Sequence, residues 1–109
     1  LDAHFDLRAT GDGPRNGNPV RCLLEDGLPG GNICQIGLAP FANTRAMHED
    51  ALAAGIGVFP LADVRRLGIA AVLDSALARL RHCAVLMVDF DIDAIDRSQF
   101  PGAPGARPG

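Results

Sequence analysis

Apolar and polar positions follow two alternating patterns along this chain, and each pattern predicts one kind of element. Short, nearly continuous apolar runs predict strands at residues 32–38, 56–61 and 83–88. The run at 83–88 has no polar interruption, which is typical of a parallel strand buried on both faces. Residues 1–6 alternate with a period of two and are expected to form the end of a further strand.

Helices are predicted between these apolar runs. Residues 69–81 place apolar side chains at i, i+3, i+4 and i+7, which predicts a helix that covers one face of a sheet. Asn18 followed by Pro19 is typical of a helix N-cap and first position, and Gly27 marks the stop. Further helical stretches are predicted at 44–54 and 61–67.

The order of these elements predicts the fold class. Strands that alternate with helices indicate parallel βαβ units with right-handed crossovers. We therefore expect an α/β fold, a three-layer parallel sheet with helices on both faces, incomplete at both ends. The chain starts at Leu1 in a predicted strand end and stops at Gly109 in a Pro/Gly loop, so we expect residues 1–109 to be one partial domain.

Acidic residues follow two of the predicted strands at alternate positions. Asp89, Asp91 and Asp93 come directly after the run at 83–88, and residues 2–6 carry two acids around His4. Side chains two apart in an extended chain share one face, so these carboxylates would crowd together and repel unless protons or a cation relieved them. The sequence thus predicts a metal site at the carboxyl end of a buried strand, where ligands of α/β sheets usually bind.

The ligand types indicate which metal this site would hold. Carboxylates with a single imidazole suit Mn²⁺ or a related divalent ion better than a thiolate-type zinc site. Because the two acidic segments together supply five carboxylates, we expect two ions, which lower the pKa of a bridging water.

Other interpretations of the acidic run differ in strength. An EF-hand loop fails, because Ala94 stands where the turn needs Gly and Phe100 where the last ligand should be Glu. The Asp91–Asp93 pair also resembles the nucleophile motif of haloacid-dehalogenase-like phosphatases, but Ala94 follows where that family has Gly. The acids could also cap loops and bind nothing.

Two motifs resemble the ureohydrolase (arginase/agmatinase) family. Residues 2–6 (DAHFD) are similar to its D-A-H-x-D motif, and residues 90–96 (FDIDAID) to its F-D-x-D-x-x-D motif. The order of the motifs and the elements between them also match, so the resemblance spans essentially the whole chain. Arg8, Arg97 and the Pro/Gly-rich residues 101–109 are most similar to the formimidoylglutamase branch.

The resemblance implies a dinuclear manganese centre. Asp2 and Asp91 would bridge both ions, Asp6 would complete one site, and His4 and Asp93 would bind the other ion. Asp6 would also act in catalysis by orienting the bridging hydroxide.

Residues around the first helix are candidates for substrate binding. Residues 16–18 (NGN) resemble the substrate loop of arginases, so Asn18 is a candidate contact. Arg21 either pairs with a substrate carboxylate or has a structural role. The proton donor is unassigned. A histidine ligand and an acid that grips the amidine, both implied by the family, lie outside these residues.

The function implied is Mn²⁺-dependent hydrolysis of a C–N bond in a linear amidine, with N-formimidoyl-L-glutamate giving glutamate and formamide. Alternatives are a guanidino substrate such as agmatine or guanidinobutyrate, a Mg²⁺-dependent phosphatase with Asp91 as nucleophile, and a non-catalytic binding domain of the same family.

Composition limits the partners. The net charge is −3 and the ten arginines are scattered, so we expect no nucleic-acid partner. No apolar run approaches the roughly 20 residues of a membrane span, so no membrane partner is expected. Three cysteines without a C-x-x-C pair predict free thiols and a cytoplasmic location. We expect a small-molecule substrate and a homo-oligomer of the full-length protein.

Overall fold

Four helices and two strands form the regular part of the computed structural model, which describes residues 1–106. The helices are α1 (Pro19–Glu25), α2 (Arg45–Ala53), α3 (Leu61–Leu67) and α4 (Ile69–Leu80), and the strands are β1 (Cys34–Leu38) and β2 (Gly57–Pro60). Short 3₁₀ turns lie at Gly30–Asn32 and Ile92–Ala94. These bounds agree closely with the helices and with two of the strands predicted from the sequence.

The strands β1 and β2 pair in parallel, with Cys34 opposite Gly57 and Ile36 opposite Phe59. The helix α2 makes the crossover between them, as expected of a βαβ unit. The pairing is irregular between Ile36 and Leu38, where Gly37 adopts a φ of 98° that favours glycine. The parallel α/β architecture predicted from the sequence is therefore confirmed.

Helices cover both faces of this sheet, because neighbouring strand residues belong to two separate apolar clusters. Val58 packs in one cluster and the next residue, Phe59, in the other. The first cluster takes side chains from α1 and α2, including Ala51, which is fully buried. The second takes Val64 of α3 and Val72 and Ala76 of α4. The three-layer arrangement thus holds for the residues described.

A side chain caps the start of α2, but none caps the start of α1. Thr44 caps α2 by accepting a hydrogen bond from the backbone N–H of Met47 at 3.2 Å. The helix α1 has Pro19 in its first turn as predicted, but the side chain of Asn18 makes no cap hydrogen bond. The prediction of Asn18 as a capping residue was therefore wrong in its mechanism although right in its position.

The predicted buried strand at residues 83–88 is not observed. This segment has no strand structure, and Val85 and Met87 are both 84% exposed. The physical reason is the lack of strand pairing: within residues 1–106, Leu1 makes its backbone hydrogen bonds with Asp89 and Asp91, and residues 84–88 belong to no ladder with another strand. Residues 1–6 likewise lack regular strand structure, although hydrogen bonds link them to β1.

Two further sequence predictions concern membrane-spanning segments and the Pro/Gly-rich tail. Among residues 1–106, no helix is long and apolar enough to span a membrane. The predicted Pro/Gly loop is observed as a series of turns up to residue 106, and its last three residues, 107–109, lie outside the described residues.

Candidate metal site

The acidic run at residues 89–93 lies beside the first residues of the chain, because backbone hydrogen bonds join Leu1 to Asp89 and Asp91. The backbone nitrogen of Leu1 donates to the carbonyl of Asp89 at 2.7 Å, and the carbonyl of Leu1 accepts from the N–H of Asp91 at 2.9 Å. On the other side, the N–H of Asp2 donates to the carbonyl of Ile36 in β1 at 3.1 Å. The first residues therefore lie between β1 and the acidic run.

The side chains of Asp2, His4 and Asp93 lie close together next to these hydrogen bonds. One ligand atom from each of Asp2, His4 and Asp93 lies within 4.8 Å of the other two. The His4 Nδ1 atom is 2.9 Å from Asp93 Oδ2 and 3.7 Å from Asp2 Oδ1. All three side chains are largely buried. Their types and spacing are those of a divalent metal site, and they come from the two segments that the sequence indicated.

Backbone N–H groups fix the orientation of the carboxylates. The N–H of His4 donates to Asp2 Oδ1 at 2.6 Å, and that of Ala3 donates to Asp93 Oδ1 at 3.3 Å. The N–H of Asp93 donates to Asp91 Oδ1 at 2.9 Å. Each segment thus holds acids in place with its own peptide groups, and Ala3 links the two segments.

The electrostatics of the cluster favour the addition of positive charge. Burial, opposed by the hydrogen bond from the His4 N–H and reinforced by the charges of Asp6, Asp93 and Asp91, raises the pKa of Asp2 to about 7. Burial also raises the pKa of Asp6, with Asp91 and Asp93 adding to the effect and His4 opposing it. A divalent cation would relieve this repulsion, so the residues present fit a metal.

The remaining predicted ligands lie next to this trio rather than within it. Asp6 and Asp91 both influence the protonation of Asp2, which places their charges close by. The side chain of Asp91 also begins the 3₁₀ turn that carries Asp93. Asp6 adopts a φ of 53°, the left-handed region that non-glycine residues rarely occupy. The structure therefore brings Asp2, His4 and Asp93 together, and the charges of Asp6 and Asp91 act on Asp2.

The Pro/Gly-rich tail covers one side of the cluster. A Cβ atom added to Gly105 would lie 2.2 Å from Asp93 Oδ2 and 2.9 Å from His4 Cε1. The neighbouring residues Ala103 and Ala106 are buried. The loop thus places backbone beside the carboxylates, and Gly105 approaches them more closely than Gly102 does.

Asn18 is engaged by the loop that precedes α1. Its Nδ2 donates to the carbonyls of Ala9 and Gly13 at 3.3 and 3.1 Å, and its Oδ1 accepts from the N–H of Arg15 at 2.7 Å. The residue is only 2% exposed. Both donor positions of the amide are occupied, so this geometry favours a loop-closing role over the predicted substrate contact.

Arg21 is engaged in a similar way. Its Nε and Nη2 atoms donate to the carbonyl of Leu7 at 3.3 and 3.0 Å, and Nη2 also pairs with the carboxylate of Asp50. Of the two roles that the sequence left open, this geometry favours the structural one.

Asn43, the residue before the Thr44 cap of α2, contacts the site segment and was not among the predicted site residues. Its Oδ1 accepts from the N–H of Phe5 at 2.8 Å, and its Nδ2 donates to the carbonyl of Ala3 at 2.9 Å. The two hydrogen bonds flank His4. No local pattern could have revealed them, because the partners are 38 and 40 residues away along the chain.

The fold and this cluster together define a class: an α/β protein with a carboxylate–imidazole site at the carboxyl edge of its parallel strands. The model of the arginase family matches residues 1–109. The chain belongs to the arginase family. This membership argues against the phosphatase alternative for Asp91.

Relatives of this chain agree with the family. The formimidoylglutamase of Halalkalibacterium halodurans is 40% identical over 112 residues, covering 100% of this chain and 35% of the relative. The crystal structure of formimidoylglutamase from Bacillus subtilis matches 98% of this chain and 36% of its own, with 30% identity and a TM-score of 0.83. That of Trypanosoma cruzi formiminoglutamase with Mn²⁺ matches 100% and 37%, with 25% identity and a TM-score of 0.88.

These matches confirm the arginase-like fold. The chain spans about 35% of the length of the first two curated relatives it matches, both formimidoylglutamases.

Proposed function

We propose that the protein containing this chain hydrolyses N-formimidoyl-L-glutamate to L-glutamate and formamide with the help of two Mn²⁺ ions. The observation that carries the proposal is the convergence of Asp2, His4 and Asp93 from two distant segments within 4.8 Å. The relatives support the substrate, since the curated matches are formimidoylglutamases. A Mn²⁺-containing neighbour of the same fold supports the metal.

The donor set would suit two manganese ions. Asp2 and Asp91 would bridge them, Asp6 would complete one site, and His4 and Asp93 would bind the other ion. Paired divalent ions, when bound, lower the pKa of water so that hydroxide is available near neutral pH. Carboxylate-rich sites with a single imidazole match the preferences of manganese.

The residues of this chain would organise the reaction around that hydroxide. The Asp6 carboxylate, held next to the cluster by its left-handed backbone, would accept a hydrogen bond from the nucleophile and fix its direction. In the overall reaction the water oxygen bonds to the amidine carbon, one water proton ends on each of the two nitrogens, and the bond from that carbon to the glutamate nitrogen breaks, which gives formamide and L-glutamate. The backbone at Gly105 covers the His4–Asp93 side of the cluster and would keep bulk water from it.

A substrate comparison with the full-length protein tests the proposal. With Mn²⁺ present, we expect hydrolysis of N-formimidoyl-L-glutamate, and a value of kcat/KM at least tenfold lower for agmatine and guanidinobutyrate. The Asp93→Asn variant should lose activity, because its neutral amide is a poorer ligand for a divalent cation than the carboxylate. A guanidino compound as the better substrate would contradict the substrate choice, and full activity of Asp93→Asn would contradict the metal site. The cytoplasmic location and the homo-oligomeric assembly stay predictions.

A further inference from the structure

The segment that carries Asp2, His4 and Asp6 has little regular structure of its own. It is not a regular strand: Asp2 donates a backbone hydrogen bond to Ile36 in β1, and the Ala3 carbonyl accepts one from Ala39, just after β1. Beyond Ala3, side chains of other elements supply many of the partners for its peptide groups. A metal site requires ligands held within a few tenths of an ångström, so these partners bear on the function of the segment.

Asn43 holds the backbone on both sides of His4. The amide oxygen accepts from the N–H of Phe5 and the amide nitrogen donates to the carbonyl of Ala3, at 2.8 and 2.9 Å. Because one planar side chain makes both bonds, it fixes the peptide groups before and after His4 at once. The direction of the His4 side chain follows from that backbone.

Arg21 holds the backbone that follows Asp6. Its own N–H donates to the carbonyl of Asp6 at 3.1 Å, and its guanidinium donates twice to the carbonyl of Leu7. The carboxylate of Asp50 on α2 pairs with the guanidinium and keeps it in place. The left-handed backbone of Asp6 is costly for a residue with a Cβ atom, and these bonds stabilise it.

We infer that Asn43 and Arg21 are positioning residues that act through the backbone: Asn43 holds His4, and Arg21 holds Asp6, in the geometry that the metal requires. Neither residue touches the metal or the substrate in this role. The inference rests on the proposed function only where it treats His4 and Asp6 as ligands. It also assigns to Arg21 a task different from pairing with a substrate carboxylate.

Variants of the full-length protein test this inference. We compare Asn43→Ala and Arg21→Met with two matched controls: Thr44→Ala, which removes the cap of α2 next to Asn43, and Arg45→Gln, which removes the exposed ion pair with Glu49. For each protein, titration with Mn²⁺ gives the affinity and stoichiometry, thermal unfolding gives the stability, and kinetics give kcat and KM. Arg21→Lys and Asn43→Ser, which keeps one uncharged hydroxyl that can donate or accept, serve as milder changes if either first variant fails to fold.

We expect Asn43→Ala and Arg21→Met to weaken Mn²⁺ binding at least tenfold and to lower kcat, with KM changed less than threefold. The two controls should bind Mn²⁺ like the unaltered protein, even where Thr44→Ala melts at a lower temperature. Arg21→Lys should bind Mn²⁺ with intermediate affinity, because a single ammonium replaces two of the guanidinium's hydrogen bonds poorly.

Three results would overturn the inference. Unchanged Mn²⁺ affinity in both Asn43→Ala and Arg21→Met would assign a purely structural role to Asn43 and Arg21. A raised KM for Arg21→Met at full metal occupancy would assign Arg21 to the substrate, and equal weakening by the controls would make the effect one of general stability. Failure of the proposed function itself is distinguishable, because the unaltered protein would then bind no Mn²⁺ or hydrolyse no amidine.

Discussion

The imidazole of His4 has a carboxylate on each side, 2.9 Å away in Asp93 and 3.7 Å away in Asp2. Such an arrangement recurs in metal sites because a neutral imidazole and two ionised carboxylates share one cation well. Without the cation, the acids must share protons instead. Protons and a metal ion therefore compete for the same carboxylates.

Asp2 makes the metal-free protein sensitive to pH. Its pKa in the folded state is raised from 3.8 to about 7, chiefly by burial, so the folded state binds its proton more tightly than the unfolded state. The stability that this proton provides is complete below about pH 4 and is lost as the pH rises through about 7. We therefore expect the free energy of unfolding of the metal-free protein to fall between about pH 4 and pH 7, and that of Asp2→Asn to fall less over the same range.

Denaturant unfolding of both proteins over that range measures this difference. Parallel pH profiles for Asp2→Asn and the unaltered protein would show that Asp2 ionises normally. Saturating Mn²⁺ should remove most of the loss, since the ion replaces the proton as the partner of the carboxylate.

Gly105 sets how closely the tail approaches the site. An added methyl group would meet Asp93 Oδ2 at 2.2 Å, so either the tail or the Asp93 side chain must shift. We expect Gly105→Ala to weaken Mn²⁺ binding at least tenfold. Gly102→Ala is the matched control in the same loop, because its Cβ would meet only Phe100 Cε1 at 4.0 Å. Equal Mn²⁺ affinities for the two variants would contradict this role of Gly105.

At the scale of elements, the loop before α1 depends on one amide. Asn18 joins Ala9, Gly13 and Arg15 through three hydrogen bonds while almost fully buried. Asn18→Ala removes these three hydrogen bonds, and because Ala9, Gly13 and Arg15 are not buried, each loss costs about 0.5–1.5 kcal/mol. We expect a lower melting temperature for the full-length variant and an unchanged KM. A tenfold higher KM for Asn18→Ala with normal stability would instead support the predicted contact between Asn18 and the substrate.

Elements whose signals are local could be predicted from the sequence. The period of α4, the Asn43-Thr44 start of α2 and the apolar runs of β1 and β2 depend on neighbours within a few residues, and all were placed within one or two residues. The two acidic motifs were also expected to lie together, and Asp2, His4 and Asp93 do so although neither motif follows a regular strand within residues 1–106.

Contacts between remote side chains and backbone could not be predicted in this way. Asn43 reaches the peptides around His4, and Arg21 reaches Leu7, but the residue types alone specify no partner. The same limit explains the outcome for Asn18, whose amide could have served a cap, a substrate or a loop with equal chemical logic. Only the folded arrangement selects among these.

The whole molecule explains why the predicted strand at residues 83–88 fails to form. An uninterrupted apolar run indicates burial on both faces and neighbours on both edges, yet Val85 and Met87 are largely exposed here and Phe90 is 70% exposed. The chain spans about 35% of the relatives, so we propose that other parts of the full-length protein cover this run. On this proposal, the apolar pattern of residues 83–88 indicates contacts with parts of the full-length protein outside residues 1–106.

The same consideration predicts the behaviour of residues 1–109 in isolation. The resemblance implies one further histidine ligand and an acid for the amidine outside this chain, so its metal shell would be incomplete. We expect little or no hydrolysis of N-formimidoyl-L-glutamate by purified 1–109 with added Mn²⁺, measured as formamide release. Turnover comparable to that of the full-length protein would show that the site is complete within these residues.

Anomalous diffraction from crystals of the full-length protein grown with Mn²⁺ tests the central claim most directly. The account predicts two manganese peaks about 3.5–4 Å apart, bounded by Asp2, His4, Asp6, Asp91 and Asp93. Peaks elsewhere in the protein, or none at manganese concentrations that support activity, would contradict it.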